Sequence, residues 1–299
     1  EARRAVESDG DAYARGCFEA ASALVEFHLG HLTLAEAACR RAESVFANET
    51  AGTTKELTTV HTFQLASLAL LGRLRELGVR TANLVRVSEA RGERYALTNY
   101  RQGMMILRHL AEDSPERATQ DLDAALEHFG GTGFLVQHFF DLWGRITTAL
   151  YEGRVEEARA LFVRTRGRVL RSLLIRTQWT RGHTLVLEAS TAIAQLATRP
   201  SRRSALWAAV VLTQLEREER PWTSALAQAL RACLCAARGE RKRGLSLLEQ
   251  AIPQLERAEL ILYADAARVH LAELRGRDLD RALRDAWAAR EGVVHPRAF

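Results

Sequence analysis

The stretch LYEGRVEEARALF, residues 150–162, places a glycine between two segments whose apolar residues follow a helical spacing. Gly153 can end the first helix, because glycine adopts a left-handed conformation there without steric cost. Glu156 and Glu157 follow shortly after it. Their carboxylates would stabilise the start of a second helix, because the N-terminal end of a helix carries partial positive charge. The apolar residues of that second segment share one helical stripe, formed by Val155, Ala158, Leu161 and Phe162. The stretch therefore predicts two helices joined by a tight turn.

This helix break recurs along the chain. The breaks are centred on Gly30, Gly72, Asp113, Gly153, Arg199, Gly239 and Gly276, which are 42, 41, 40, 46, 40 and 37 residues apart. A regular period of this length is typical of helical repeat proteins. The pattern predicts an all-α fold, a right-handed superhelical solenoid of about seven antiparallel helix pairs with a period of about 41 residues. It would cover residues 1–290, and the tail 291–299, which lacks periodicity, would pack as an extended end piece.

Several helix starts can also be assigned. Ser114 precedes Pro115, Ser201 follows Pro200, and Pro221 opens PWTSALAQAL, all of which fit the residue preferences at the start of a helix. The GGTG segment, residues 130–133, is predicted to connect two repeat units.

The composition indicates a folded, water-soluble chain, with 47% hydrophobic and 26% charged residues. The net charge is +5, from 42 basic and 37 acidic residues, but most arginines alternate with carboxylates, as in RVEEAR (154–159). Nucleic acid is therefore not an expected partner, because its binding requires segregated basic residues. The longest apolar run, ALWAAVVL (205–212), has the length of a core helix, so no membrane span is predicted.

The cysteines and the chain start give two further expectations. Cys17, Cys39, Cys233 and Cys235 are too few for a disulfide framework in a chain of 299 residues, and reduced thiols in a cytoplasmic protein are expected. The sequence opens on Glu1 instead of methionine, which suggests a mature or excised fragment.

A glycine followed five residues later by alanine, Gly153 and Ala158, resembles the tetratricopeptide repeat. The pairs Gly30/Ala35 and Asp113/Ala118 fit the same step, whereas Gly72 leads to Leu77 and Gly239 to Gly244. The period exceeds the 34 residues of the standard repeat. The longer unit is similar to the sensory domains of maltose-regulator-type transcription activators.

Three longer stretches, residues 70–101, 133–154 and 171–190, together with the ending GVVHP (292–296), carry a second resemblance. They look like the C-terminal helical-repeat region of large bacterial serine/threonine kinases, in which a kinase and an ATPase module precede the repeats. The resemblance implies a sensing or docking region of a bacterial signalling protein, with the upstream domains of the same polypeptide among its partners.

The residue patterns of common enzymes are absent from the sequence. Only Lys55 and Lys242 are lysines, and the phosphate-binding loop G-x-x-x-x-G-K-[ST] does not occur. Neither H-E-x-x-H nor G-x-S-x-G is present. His28 and His31 lie across a predicted turn without a third ligand nearby. We therefore expect no catalytic activity, no cofactor and no metal site.

Polar side chains at helical spacing on the first helices of the central units are the candidate binding residues. First helices line the concave surface of such arrays, so these side chains would face a partner. Arginine side chains there would suit the carboxylates of an acidic protein or peptide. The alternative is that they pair with neighbouring helices. The predicted set is Asn99, Arg101, Gln137, His138, Arg145, Gln178 and Arg181.

An aromatic cluster beside these residues, Phe139, Phe140 and Trp143, is interpreted as packing. Two functions remain: a non-catalytic protein- or peptide-binding scaffold, and, as the alternative, a small-molecule effector-sensing repeat domain. An open charged groove would favour the scaffold, whereas a closed, aromatic-lined pocket would favour the sensor.

Overall fold

The computed structural model describes residues 11–127, 129, 133–276 and 278–299, with the backbone alone for residues 278–284. This part of the chain forms fifteen α-helices and two short 3₁₀ turns, and no strand occurs in it. The fold is all-α, as predicted.

The helices pack in consecutive pairs, and the first helix of each pair is called an inner helix here. The inner helices are α1 (Ala12–Leu29), α3 (Thr54–Leu70), α5 with α6 (Arg94–Tyr100 and Leu107–Ala111), α8 (Val136–Tyr151), α10 (Gln178–Thr198), α12 (Pro221–Ala237) and α14 (Ile261–Arg275).

The second helix of each pair is called an outer helix. The outer helices are α2 (Leu32–Asn48), α4 (Leu74–Arg91), α7 (Pro115–Leu126), α9 (Val155–Arg171), α11 (Arg202–Glu216), α13 (Arg241–Arg257) and α15 (Asp278–Glu291). A 3₁₀ turn, Leu173–Arg176, joins α9 to α10.

All seven predicted breaks directly follow a helix or the turn residue that ends it. The five glycines take the left-handed conformation, with φ between +68° at Gly276 and +89° at Gly30, and Asp113 adopts the same conformation at φ +54°. Arg199 differs, because it ends α10 with an extended backbone at φ −136°. The turns predicted at Gly30, Gly72, Gly153 and Gly239 are confirmed.

The predicted helix starts are also confirmed: α7 begins at Pro115, α12 begins at Pro221, and the Ser201 hydroxyl accepts the Ser204 amide at the start of α11. Ser114 precedes its helix without capping it, since its hydroxyl donates to the carbonyl of Glu112.

Equivalent positions of the outer helices are buried in the same way. The residues five and nine positions after a break are buried in five pairs: Ala35 and Cys39, Leu77 and Thr81, Ala118 and Leu122, Ala158 and Phe162, and Gly244 and Leu248. Two positions four residues apart lie on one face of a helix. These outer helices therefore bury the same two positions, and α2 and α13 also pack on the inner helix of the next pair.

The inner helix of the third pair is interrupted, which gives fifteen helices where about fourteen are predicted. Gln102 is extended, and Gly103, at φ +61°, opens the 3₁₀ turn Gly103–Ile106 between α5 and α6. A Cβ atom at Gly103 would lie 3.3 Å from Cβ of Phe140 on α8. Glycine is required at this position by both its backbone conformation and its close neighbour.

The first pairs contact the last pairs. The amide of Thr33 donates to Glu259 (2.6 Å), the Arg75 guanidinium donates to the carbonyl of Arg290 (3.1 Å), and α3 packs on α14. One contiguous buried cluster extends from Phe27 to Val293. Packing between the ends of the chain thus adds to packing between neighbouring pairs.

The tail after α15 contacts the third pair and forms no helix. The Val294 amide donates to the Ala111 carbonyl (2.8 Å), and His295 pairs with Asp113 (3.0 Å). Residues 130–132 of the GGTG segment lie outside the described residues. Within the described part, every helix is too short or too polar to cross a bilayer.

Candidate functional site

Two of the seven predicted binding residues, Asn99 and Gln137, are buried, with exposed fractions of 4% and 5%. The Asn99 amide donates to the carbonyl of Tyr95 one turn earlier (2.7 Å). This corrects the expectation that both side chains face an open groove, because they are enclosed by packing between helices.

The three predicted arginines form ion pairs within the chain. Arg101 pairs with Glu89 and lies 3.7 Å from Asp121. Arg145 contacts both Asp141 and Asp123 at 2.8 Å. These contacts fit the alternative interpretation, in which the polar side chains pair with neighbouring helices.

Arg181 and Gln178 both engage the segment between α11 and α12. The Arg181 guanidinium binds the Glu218 carboxylate through two hydrogen bonds of 2.5 and 2.6 Å, and Gln178 donates to the Glu218 carbonyl (2.6 Å). The hydrogen bonds from Arg181 lower the pKa of Glu218. Gln178 also accepts from Arg220 (2.7 Å), so this cluster joins the fifth and sixth pairs.

His138 caps α8, because its Nδ1 accepts the Leu135 amide at 3.0 Å. It lines a polar groove between α8 and α9 together with Arg145, Arg164 and Arg168. The structure therefore places His138 and Arg145 in one groove, and Gln178 and Arg181 in one cluster. Asn99 and Arg101 belong to neither group. A role of the seven residues in binding stays a prediction.

An apolar cavity of about 150 Å³ lies among the inner helices, between α1, α3, α8, α10 and both 3₁₀ turns. The interruption of the third inner helix contributes Met104 and Met105 to its wall. Its lining comprises Phe27, His28, Thr62, Phe63, Ala66, Gly103, Met104, Met105, Val136, Phe140, Trp143, Leu174, Thr177, Trp179 and Thr180.

Aromatic rings form much of this wall. Trp179 lies 5.8 Å from Phe27 and 6.2 Å from Phe140 between ring centroids, and Phe27 meets Phe63 edge-on at 5.0 Å. Phe140 and Trp143, interpreted from the sequence as packing residues, thus line a cavity, whereas Phe139 is fully buried.

Few polar groups of the cavity are free. The hydroxyls of Thr62 and Thr177 donate to the carbonyls of Thr58 and Leu174. His28 is exposed and lies at the cavity edge, where its Nδ1 donates to the Leu24 carbonyl (2.7 Å). No described residue hydrogen-bonds Nε2 of His28, so this nitrogen is free to accept a hydrogen bond at the cavity edge.

A second cavity, of about 240 Å³, shares Trp143 with the first. It extends toward the seventh pair, where Tyr263 and the tail residue Phe299 line it. Trp143 therefore separates two apolar spaces within the inner layer.

His183 lies between two tryptophan rings, one of which, Trp179, also lines the first cavity. It stacks on Trp179 at 4.1 Å and lies 5.2 Å from Trp222. Burial lowers the pKa of His183 to about 4, since the charged ring would lose its hydration. Its Nδ1 donates to the Trp179 carbonyl (3.0 Å), and Nε2 is buried without a partner among the described residues.

A groove of about 760 Å³ lies on the outer side, between α9 and α11 over the C-terminal part of α10. Three apolar residues of α11 face it with large exposed fractions: Leu206 at 69%, Trp207 at 40% and Val210 at 48%. Arg159 and Arg203 flank the groove, and Gln195 contributes to its lining.

Trp207 is held in place by neighbouring side chains. Its indole N–H donates to the buried carboxylate of Glu188 (3.1 Å), and the Arg166 guanidinium lies 5.9 Å from the indole ring and also binds Glu188. No described carboxylate lies within ion-pair distance of Arg203, whose side chain is exposed. The groove thus combines a fixed aromatic anchor with an open positive charge.

Sequence reasoning missed both the cavity and the outer groove. The cavity joins His28, Phe63 and Trp179 across more than one hundred residues, which local periodicity does not relate. The groove had a signal in ALWAAVVL (205–212), which carries more apolar residues than one buried stripe needs. Within the described residues, no group of three histidine, cysteine or carboxylate side chains is arranged to hold a metal ion.

Comparisons of the chain with protein-family models, with curated proteins and with solved structures gave no match.

Proposed function

We propose that this chain is a non-catalytic docking scaffold, a right-handed superhelical array of the tetratricopeptide-like kind that binds a helical segment of a protein partner. The resemblances in its sequence suggest the sensing or docking region of a bacterial, cytoplasmic signalling protein with kinase and ATPase modules upstream. Consecutive helix pairs support the proposal of a repeat array, since stacked pairs present long, rigid surfaces.

The groove between α9 and α11 is the observation that carries the docking function. Exposed apolar residues scattered singly are ordinary, but a contiguous patch marks an interaction surface. Leu206, Trp207 and Val210 lie at positions i, i+1 and i+4 of one helix and form such a patch. An amphipathic helix fits this shape, because its own apolar residues recur at the same spacing.

The charges of the groove favour an acidic partner helix. Arg203 is exposed, and Arg159 makes only a 3.5 Å contact with the Thr191 hydroxyl. Arginine binds carboxylates through paired, charge-assisted hydrogen bonds. The fixed orientation of Trp207 limits the side-chain entropy that would be lost on binding. We therefore assign the partner as an amphipathic helix with carboxylates beside its apolar face.

A displayed library of helix-forming peptides, selected against the whole chain, tests this proposal. Enriched peptides should share apolar residues at helical spacing flanked by Asp or Glu. Val210→Glu should weaken their binding at least tenfold, because it places a charge in the apolar centre of the groove.

Val79→Glu is the matched control, since Val79 is 72% exposed on α4, away from the groove. It should leave peptide affinity unchanged. Peptides that bind wild type and Val210→Glu equally, or a selection without enrichment, would reject the groove as the docking site.

Effector sensing is the second candidate function, and the aromatic-lined cavity favours it. An apolar cleft or cavity with a few polar groups is the usual form of a small-molecule site. The cavity is lined by Trp179 and Thr180 at the start of α10 and the outer groove by Ala192 and Gln195 toward its end, so α10 contributes to both.

A further inference from the structure

We infer that the cavity between α1, α3, α8 and α10 binds a small planar aromatic compound that carries one hydrogen-bond donor. The inference rests on the second candidate function, effector sensing, and does not depend on the docking groove.

The size and lining of the cavity determine the first part of this ligand class. A space of about 150 Å³ accommodates a single six-membered ring, and an apolar engineered cavity of that size is known to take up benzene. The hydroxyls of Thr62 and Thr177 in its lining already donate to backbone carbonyls. A sugar or a charged compound would leave its own polar groups without partners, which costs binding free energy.

The rings around the cavity favour an aromatic ligand over an aliphatic one. Phe27, Phe140 and Trp179 meet at edge-on or tilted angles, and Phe63 completes this side. Aromatic pairs prefer offset and edge-to-face arrangements with centroids 4.5–7 Å apart. A planar ring placed among them makes several such contacts at once.

His28 supplies the second part of the ligand class. Because Nδ1 of His28 donates to the Leu24 carbonyl, the neutral ring presents Nε2 as an acceptor. A phenol-type O–H or an indole-type N–H at the cavity edge would donate to it. The His28 acceptor lets the site distinguish compounds of the same shape, because a ligand donor that is buried without a partner is penalised.

The cavity wall comes from five helix pairs, so a bound ligand would tie them together. Phe27 belongs to the first pair, Phe63 to the second, Met105 to the third, Phe140 to the fourth and Trp179 to the fifth. A ligand that binds only the folded, closed arrangement stabilises it in proportion to its concentration. Ligand binding in the cavity would therefore make the contacts between the inner helices more rigid.

Phenol and toluene are suitable probes, since they have nearly the same volume and differ in one O–H group. Titration calorimetry of the whole chain should give saturable, one-to-one binding of both, with dissociation constants on the order of 1 mM for compounds of this size. His28→Phe keeps a ring at position 28 and removes the acceptor. It should weaken phenol binding about three- to tenfold and leave toluene binding unchanged.

Ala66→Phe tests the location, because Ala66 lines the cavity and a benzyl group would fill it. Both probes should lose measurable binding in this variant. Ala124→Phe, the same change at an exposed position of α7, should bind both probes like wild type. Circular dichroism verifies folding, and the smaller change Ala66→Leu, which should weaken both probes, replaces Ala66→Phe if that variant loses helicity.

The outcomes separate the ligand class from the sensing function. Absence of binding by both probes, or unchanged binding in a folded Ala66→Phe or Ala66→Leu variant, would overturn this cavity as a site for aromatic compounds, and effector sensing would then lose the observation that favours it. Toluene binding to the cavity with a phenol affinity that His28→Phe leaves unchanged would overturn the donor requirement alone.

Discussion

The outer and inner helices follow different rules although they alternate along one chain. The outer helices repeat: positions five and nine residues after the break are buried in five of the pairs. The inner helices vary, with an interruption at Gly103, a buried histidine between tryptophans and two apolar cavities. Regular packing therefore joins the helix pairs, and the irregular inner helices leave two apolar cavities.

The largest expected effect tests the contribution of the outer layer to stability. Phe162 is fully buried on α9, and Phe162→Ala should lower the free energy of unfolding by about 3–5 kcal/mol, since it removes a packed ring and leaves a cavity. Urea denaturation followed by circular dichroism measures it. Val163→Ala, a neighbouring position that is 57% exposed, should change stability by less than about 0.5 kcal/mol. Similar values for the two variants would show that the outer stripe is not a core.

Acidification should act on the inner layer through His183. The folded-state pKa of about 4 lies below the unfolded value near 6.5, so the unfolded chain binds a proton first as the pH falls. The stability associated with the neutral ring is fully present above pH 6.5 and is lost toward pH 4, by up to about 3 kcal/mol.

His183→Phe is the comparison for this effect, because carboxylates that titrate in the same range are common to both proteins. The free energy of unfolding, measured between pH 7 and pH 4, should fall less steeply in the variant. Equal slopes would mean that His183 becomes protonated in the folded protein at an ordinary pKa.

Two glycines with positive φ test the same contrast: Gly153 lies in a turn between an inner and an outer helix, and Gly103 lies in the interrupted inner helix. Gly153→Ala, at φ +71° with open space around the new Cβ, should cost about 1 kcal/mol for the left-handed conformation. Gly103→Ala, at φ +61°, should cost about 2 kcal/mol, because its Cβ also meets Phe140 at 3.3 Å. Thermal or urea unfolding compares the two. An equal cost would indicate that Phe140 moves freely and that the cavity wall is soft.

The smallest effects concern the predicted binding arginines. Arg145→Ala and Arg181→Ala should each cost about 0.5–1 kcal/mol, since both side chains are partly exposed and lose ion pairs screened by solvent. The ion pairs share no residue, so the double variant should show the sum. Arg164→Ala is the control on α9, where the exposed side chain has no ion pair with a described residue. Loss of helicity in the double variant would contradict this estimate.

The sequence was most informative for features that depend on residues close together along the chain. The breaks at Gly30 and Gly153 could be predicted because a left-handed residue after a helix is a local preference, and the period followed from their spacing. The interruption at Gly103 had a weaker signal, an isolated glycine inside a helical segment. The cavity could not be predicted, because Phe27 and Trp179 meet only after several pairs have stacked. The burial of Asn99 was missed for the same reason, since spacing identifies a helix face but not what covers it.

The hydrogen bond between Thr33 and Glu259 joins residues that are 226 positions apart in the chain. In an open repeat array every contact is short in sequence, and units can unfold one after another from the ends. Contacts of such high sequence separation raise the contact order of the fold. They form slowly, because the entropy lost on closing a long loop must be overcome first. We therefore expect these end-to-end contacts to form late in folding, and we expect the first and last pairs to unfold together in one cooperative transition.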